Sequence, residues 1–214
     1  ADLVDRWRRN PVVPSEFLPE ITLQLNQHSD ALLSSLMAQP LPLQQLENYS
    51  VPDRIDPYMR CWADSERDPN KFYEVSTYYC GGSVSVYVDQ NINTGSVSFV
   101  HDLVKTEKLD PFRFGRVLEG RFEYESIGWG GNSKHYTQYA CQDNILDLHG
   151  MRAKAVMCLR GYRLFPGLYD MVLRVATLHE DTRAMHTRLT LRGVNYDSGM
   201  KFVKRYLDAI QWND

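Results

Sequence analysis

Cys141-Gln142-Asp143-Asn144-Ile145-Leu146-Asp147-Leu148-His149-Gly150-Met151-Arg152-Ala153-Lys154-Ala155-Val156-Met157-Cys158 is the stretch whose reading decides the fold. His149-Gly150 is a turn signal, and the two cysteines stand at equal distances on either side of it. Residues equidistant from a hairpin turn face each other, so the spacing predicts an antiparallel hairpin closed by a Cys141–Cys158 disulfide. The relation recurs upstream, where Cys61 and Cys80 flank Asp68-Pro69-Asn70.

A structural zinc site is the competing reading. It needs neighbouring ligands that converge on one ion, in tight C-x2-4-C pairs, whereas these cysteines are separated by 19, 61 and 17 residues. Opposed residues in a non-hydrogen-bonded antiparallel pair lie roughly 4.5 Å apart at Cα, within the range a disulfide tolerates. Each bridge closes a short loop and restricts the unfolded chain by about 3 kcal/mol. Such bonds persist outside a reducing cytosol, so the expected address is periplasmic or secreted.

At 214 residues, with 43% hydrophobic and 24% charged side chains, the chain is long enough to bury a core. No apolar run approaches the ~18 residues that span a bilayer, so no transmembrane segment is expected. The chain opens at Ala1-Asp2-Leu3, with neither an initiator Met nor an apolar leader, which predicts a mature form or a piece of a larger protein. A net charge of −3 argues against nucleic acid as a partner. Charge is uneven, however: residues 151–214 hold eleven Lys or Arg against six Asp or Glu. That end is suited to a protein or small anionic ligand.

Working towards the N-terminus, Ser15 is a cap candidate, and Phe17, Leu18, Ile21, Leu23, Leu25, Leu32, Leu33 and Leu36 supply helical spacing. The spacing predicts one long helix, or two broken near Gln27-His28-Ser29-Asp30, ending before Pro40. Residues 40–46 read as a connector. We therefore divide the chain into a helical segment with its connector, 1–50, and an antiparallel body, 51–214.

From Pro57 the pattern turns to period two. Ser83–Val88 and Ser96–Val100 predict a hairpin about Asn91–Gly95, a short helix is expected near Asp102–Lys108, and another strand over Arg116–Tyr124. The last third reads as a meander of strands turning at His149-Gly150, Pro166-Gly167 and Glu180–Met185. It ends in a helix capped by Asp197 or Ser198, with Met200, Phe202, Val203, Tyr206, Leu207 and Ile210 on one face. The fold class is therefore α+β: antiparallel β-meanders packed with helices. Equal spacings, Cys80 to His101 and Cys158 to His179, raise an internal duplication of units 57–125 and 136–212.

Hairpin symmetry assigns faces in the meander. With Cys158 opposite Val175 and His179 opposite His186, the core face carries Met157, Leu159, Val172, Ala176, Leu178, Leu189 and Leu191, with Arg174 among them. The other carries Arg160, Tyr162, Leu173, Val175, Thr177, His179, His186, Arg188, Thr190 and Arg192. A guanidinium offers a fixed fork of donors matched to carboxylates and phosphates, so Arg160, Tyr162, Arg188 and Arg192 are the candidate ligand-binding residues. Trp129, in Gly128-Trp129-Gly130-Gly131-Asn132, is a candidate aromatic contact. One conflict remains: Cys80 shares its side of the strand with Val84 and Val86, which look like core, whereas Cys158 shares its side with polar residues. A bulge at Gly81-Gly82 would reconcile them.

No motif of a nucleophilic elbow, phosphate loop, dinucleotide fold or zinc protease occurs, and no cofactor is implied. Asp197-Ser198-Gly199 reads as a helix cap. His179 and His186 are the metal candidates, with surface histidines the plainer reading. Glu123 and Glu125 share a strand face, but that spacing is too common to carry weight, and Asn48-Tyr49-Ser50 fits the N-glycosylation pattern. The resulting expectation is an exported, disulfide-stabilised binding or accessory module. Its alternative is a hydrolase whose His, Asp and Glu residues meet only in the fold.

Overall fold

The structure is a computed structural model. It describes residues 18–38, 40–47, 49–54, 59–68, 73–81, 86–89, 92–94, 96–106, 136–137, 140–163, 165–179 and 183–212. Ser15, Asn48, the 116–124 strand, Glu123, Glu125 and the Trp129 loop lie outside these residues.

Among the described residues, helix α1 (Leu18–Met37) is followed by strands β1 (Leu43–Leu46), β2 (Tyr49–Pro52), β3 (Arg60–Asp68), β4 (Tyr73–Gly81), β5 (Val86–Asp89), β6 (Ile92–Thr94) and β7 (Ser96–Thr106). Strands β8 (Ala140–Leu148), β9 (Met151–Gly161), β10 (Leu168–His179) and β11 (Arg183–Asn195) lead into α2 (Tyr196–Ala209) and β12 (Gln211–Trp212). One seven-stranded sheet, ordered β3-β4-β7-β11-β10-β9-β8, dominates. All its pairings are antiparallel. A three-stranded sheet, β1-β2-β12, joins the segment around residue 50 to the C-terminal end, and β5 pairs with β6 alone. No helix among the described residues is long and apolar enough to cross a membrane.

Both predicted disulfides are present, with Cα–Cα distances of 4.2 Å for Cys61–Cys80 and 4.1 Å for Cys141–Cys158. The β8–β9 register runs from Cys141 opposite Cys158 to Leu148 opposite Met151, so only His149 and Gly150 turn the chain. Both have positive φ, 53° and 84°, the conformation of a type I′ turn whose twist matches that of the strands. The Asp147 carboxylate accepts the Gly150 N–H at 2.8 Å.

The core lies between one face of the large sheet and the two helices, where Leu33 of α1 and Phe202 and Tyr206 of α2 meet Phe99, Leu189 and Leu191. The α2 stripe predicted from spacing is the one buried, and Gly199 lets the helix sit close. A Cβ there would fall 2.8 Å from the Met171 sulfur. The cap is Asn195 rather than Asp197 or Ser198: its Oδ1 accepts the N–H of Asp197 at 3.0 Å and of Ser198 at 3.5 Å.

Tertiary contacts decide between the two alternatives for the first helix and overturn three local expectations. Helix α1 runs unbroken through Gln27–Asp30, where Ser29 accepts the Asn195 N–H and Asp30 the Ser198 hydroxyl. Residues 102–106 belong to β7, paired on both sides by β4 and β11, not to a helix. The upstream hairpin forms between 86–89 and 92–94, which frees β7 for the main sheet. The 40–46 connector contributes β1.

Register corrects the face assignment. Cys158 lies opposite Val172, not Val175, and His186 opposite Ala176, with His179 opposite Arg183. Pro166-Gly167 does turn the chain: the Leu168 N–H donates to the Phe165 carbonyl at 3.2 Å and Gly167 has φ 97°, a type II geometry. The pairing then resumes with the Tyr162 N–H donating to Leu168, so Arg163 to Phe165 are extra residues on the incoming side, with Phe165 fully buried. β10 is displaced by three residues, an odd number, and its faces exchange. Leu173 and Val175 point to the core, whereas Val172, Arg174 and Ala176 share the other face with Arg160 and Arg188. The next turn is shorter than expected by the same amount, so β9 and β11 keep their predicted faces.

The conflict between the two cysteine pairs is real. Cys80 pairs with Phe99 on the core face, and Cys158 with Val172 on the opposite face, so the two disulfides lie on opposite sides of one sheet. Equal sequence spacing thus does not become equal pairing.

Candidate anion-binding face

Away from the helices, the sheet carries a buried polar network at one end of β9 and β10. Arg160 and Asp170 are cross-strand partners, and the guanidinium donates through Nε and Nη2 to Asp170 Oδ2, both at 2.9 Å. Tyr162 donates its hydroxyl to Oδ1, as does the Gly193 N–H at 2.9 Å. A β-bulge makes the last contact: Arg192 and Gly193 together oppose Asp170, and Gly193, at φ 61°, aims its N–H at the carboxylate. The Tyr136 ring lies beneath the Arg160 guanidinium, 3.5 Å from its carbon, and meets Tyr162 edge-on. Burial, then the Asp170 charge, push the Tyr162 hydroxyl well above its ordinary range, and the Tyr136 hydroxyl rises for the same two reasons.

Arg160 and Tyr162 are therefore both committed to Asp170. Arg188 and Arg192 stand differently. Arg174 and Arg188 are direct cross-strand partners, and Arg192 follows Arg188 by four residues on the same face. Burial first, then the Arg192 charge, lower the Arg188 pKa, and its Nε is buried without a hydrogen-bond partner. Among the described residues no carboxylate pairs with Arg188 or Arg192.

The histidine metal candidates are not cross-strand partners: His179 lies opposite Arg183 and His186 opposite Ala176. Asp53, Cys61 and Cys80 do bring ligand-type atoms within 4.8 Å of one another, but the two sulfurs are bonded together and offer no thiolate. The Asp53 carboxylate instead takes a hydrogen bond from the Tyr78 hydroxyl.

A second polar group was not foreseen. His101 is fully buried on the core face, its Nδ1 3.0 Å from Thr187 Oγ1, with the Tyr206 hydroxyl 3.3 Å from the ring. Its signal was the period-two pattern of 97–101, which puts His101 in line with Val97 and Phe99. Ser198, the other residue weighed for chemistry, donates to Asp30 at 2.6 Å. The chain matches no protein-family model and no curated protein sequence.

Proposed function

We propose that the protein is an exported binding or accessory module whose basic sheet face takes an anionic ligand through Arg188 and Arg192. The observation that carries this reading is the like charge of Arg188 and Arg192, four residues apart on one strand face: the Arg192 charge helps lower the Arg188 pKa, and no described carboxylate pairs with either. Like charges crowded on one sheet face cost stability, and a bound anion offsets that cost. The two disulfides support the exported setting.

The test is thermal unfolding at constant ionic strength with inorganic sulfate or citrate against chloride. The reading expects a specific rise in Tm that is abolished in Arg188→Gln/Arg192→Gln. An equal response of that double variant would overturn it. Disulfide-linked peptides from protein recovered in its native compartment would support export, and free thiols there would refute it.

A further inference from the structure

The candidate anion site does not stand alone on its face. Following the register outward from Arg188, the next residues in the same transverse row are Val100 on β7, Tyr79 on β4 and Trp62 on β3. Trp62 is 53% exposed, and its ring stacks on that of Tyr79, with centroids 5.3 Å apart and planes inclined by 29°. Gly81 makes room for this arrangement: a Cβ there would lie 2.3 Å from the Tyr79 hydroxyl oxygen and 2.8 Å from a ring carbon. The tyrosine thus lies over the glycine backbone and supports the tryptophan as a flat, accessible platform.

At roughly 4.8 Å between strands, the platform stands two to three strands, about 10–14 Å, from Arg188. Half-buried Val100 lies in the row, with Ser98 and Thr190, cross-strand partners and also half-buried, beside it. An aromatic plate, hydroxyls, and then arginines match a ligand with a flat face of C–H groups, many hydroxyls, and an acidic group further along. That is the chemistry of an acidic oligosaccharide. A mononucleotide holds base and phosphate across a single sugar, too short for this span.

We infer that this face binds an oligosaccharide bearing carboxylate or sulfate groups, with one sugar ring stacked on Trp62 and an acidic group held by Arg188 and Arg192. The inference rests on the anion-binding reading above and adds the platform to it. Trp and Arg carry a disproportionate share of binding energy at recognition surfaces, so losing the plate should be felt directly.

The experiment is calorimetric titration of the whole chain with a sulfated hexasaccharide, an oligogalacturonate, neutral maltohexaose, a nucleoside monophosphate and inorganic sulfate. It is repeated on Trp62→Ala and Arg188→Gln, with folding checked by far-UV circular dichroism. Binding of one acidic oligosaccharide but not maltohexaose, weakened about tenfold or more in Trp62→Ala with the sulfate response unchanged, is the expected result. Which acidic probe binds distinguishes sulfate from carboxylate as the recognised group. Oligosaccharide affinity unchanged by Trp62→Ala overturns the platform and leaves the anion reading standing. Binding of the mononucleotide alone overturns the saccharide assignment, and no response to any anion removes both.

Discussion

The backbone N–H of Asn195 donates to Ser29 Oγ at 3.2 Å, tying the middle of the first helix to the residue that caps the last one. The Asn195 side chain also donates to Asn26 Oδ1 at 3.3 Å, and Ser198 of α2 donates to Asp30. Ser29 is fully buried, so removing its hydroxyl strands a backbone donor. Ser29→Ala should cost about 1–3 kcal/mol. Asn195→Ala should cost about 1 kcal/mol through the lost cap. Because Asn195→Ala leaves in place the backbone N–H that Ser29 accepts, the two losses are separate and the double variant should come close to their sum, a comparison read from urea unfolding midpoints.

Asp170 takes donors from Arg160, Tyr162 and Gly193 within a buried site. Removing one partner of a buried ion pair costs roughly 3–5 kcal/mol, because the other charge stays behind. Asp170→Ala should lose that much in guanidinium unfolding. Arg160→Met combined with Asp170→Leu should recover the part due to the stranded guanidinium, while the Tyr162 hydroxyl and the Gly193 N–H, left unpaired, keep a cost of about 1–3 kcal/mol each.

Arg188→Gln tests the charge crowding without any ligand. Relieving the repulsion from Arg192 should raise stability by about 0.2–1 kcal/mol in ligand-free, low-salt buffer, with the gain shrinking as salt rises. Destabilisation of comparable size would indicate that Arg188 is needed structurally and would count against an anion site.

Alkaline pH should unfold the protein through its tyrosines. Burial holds the hydroxyls of Tyr162 and Tyr206 well above their ordinary value near 10. Below that value both states keep the proton and the stabilisation is complete. Above it the unfolded chain loses protons that the native state retains, so stability falls with rising pH by up to about 1.4 kcal/mol per unit for each such group. Tyrosinate absorbance should therefore appear together with the loss of circular dichroism, and Tyr206→Phe should flatten the slope. Tyrosinate formed well before unfolding would refute this linkage.

Reducing and alkylating only Cys141–Cys158, or replacing both cysteines by Ser, should lower stability by about 3 kcal/mol in denaturant unfolding. Cys61–Cys80 should behave similarly, since it closes a loop of nearly the same length.

The parts of this fold that were legible are those set by local symmetry. His149 and Gly150 accept positive φ, the cysteines count outward from them, and the β8–β9 register follows to the residue. The three extra residues at Arg163 to Phe165 had no such marker, because Pro166-Gly167 is itself a sound turn and gave no sign that pairing resumes only at Tyr162. The polar run in α1 looked like a break because its partners, Asn195 and Ser198, lie more than 160 residues away. Arg188 and Arg192 were placed on the right face, since two equal slips cancel between β9 and β11. The Trp62–Tyr79 platform was missed: its members are distant in sequence and meet only through the β3–β4 pairing, on the face opposite Cys80.

The two disulfides join β3 to β4 and β8 to β9, and β3 and β8 are the outermost strands of the large sheet. The covalent bonds thus guard its margins, while the interior rows depend on hydrogen bonds and packing alone. An outer strand exposes unpaired backbone groups to other chains, and one that peels away uncovers a second such row on its neighbour. Reduction would accordingly loosen both borders and add the rows beneath them to the exposed backbone, so the first sign of lost oxidation should be chain-to-chain association rather than unfolding of the core.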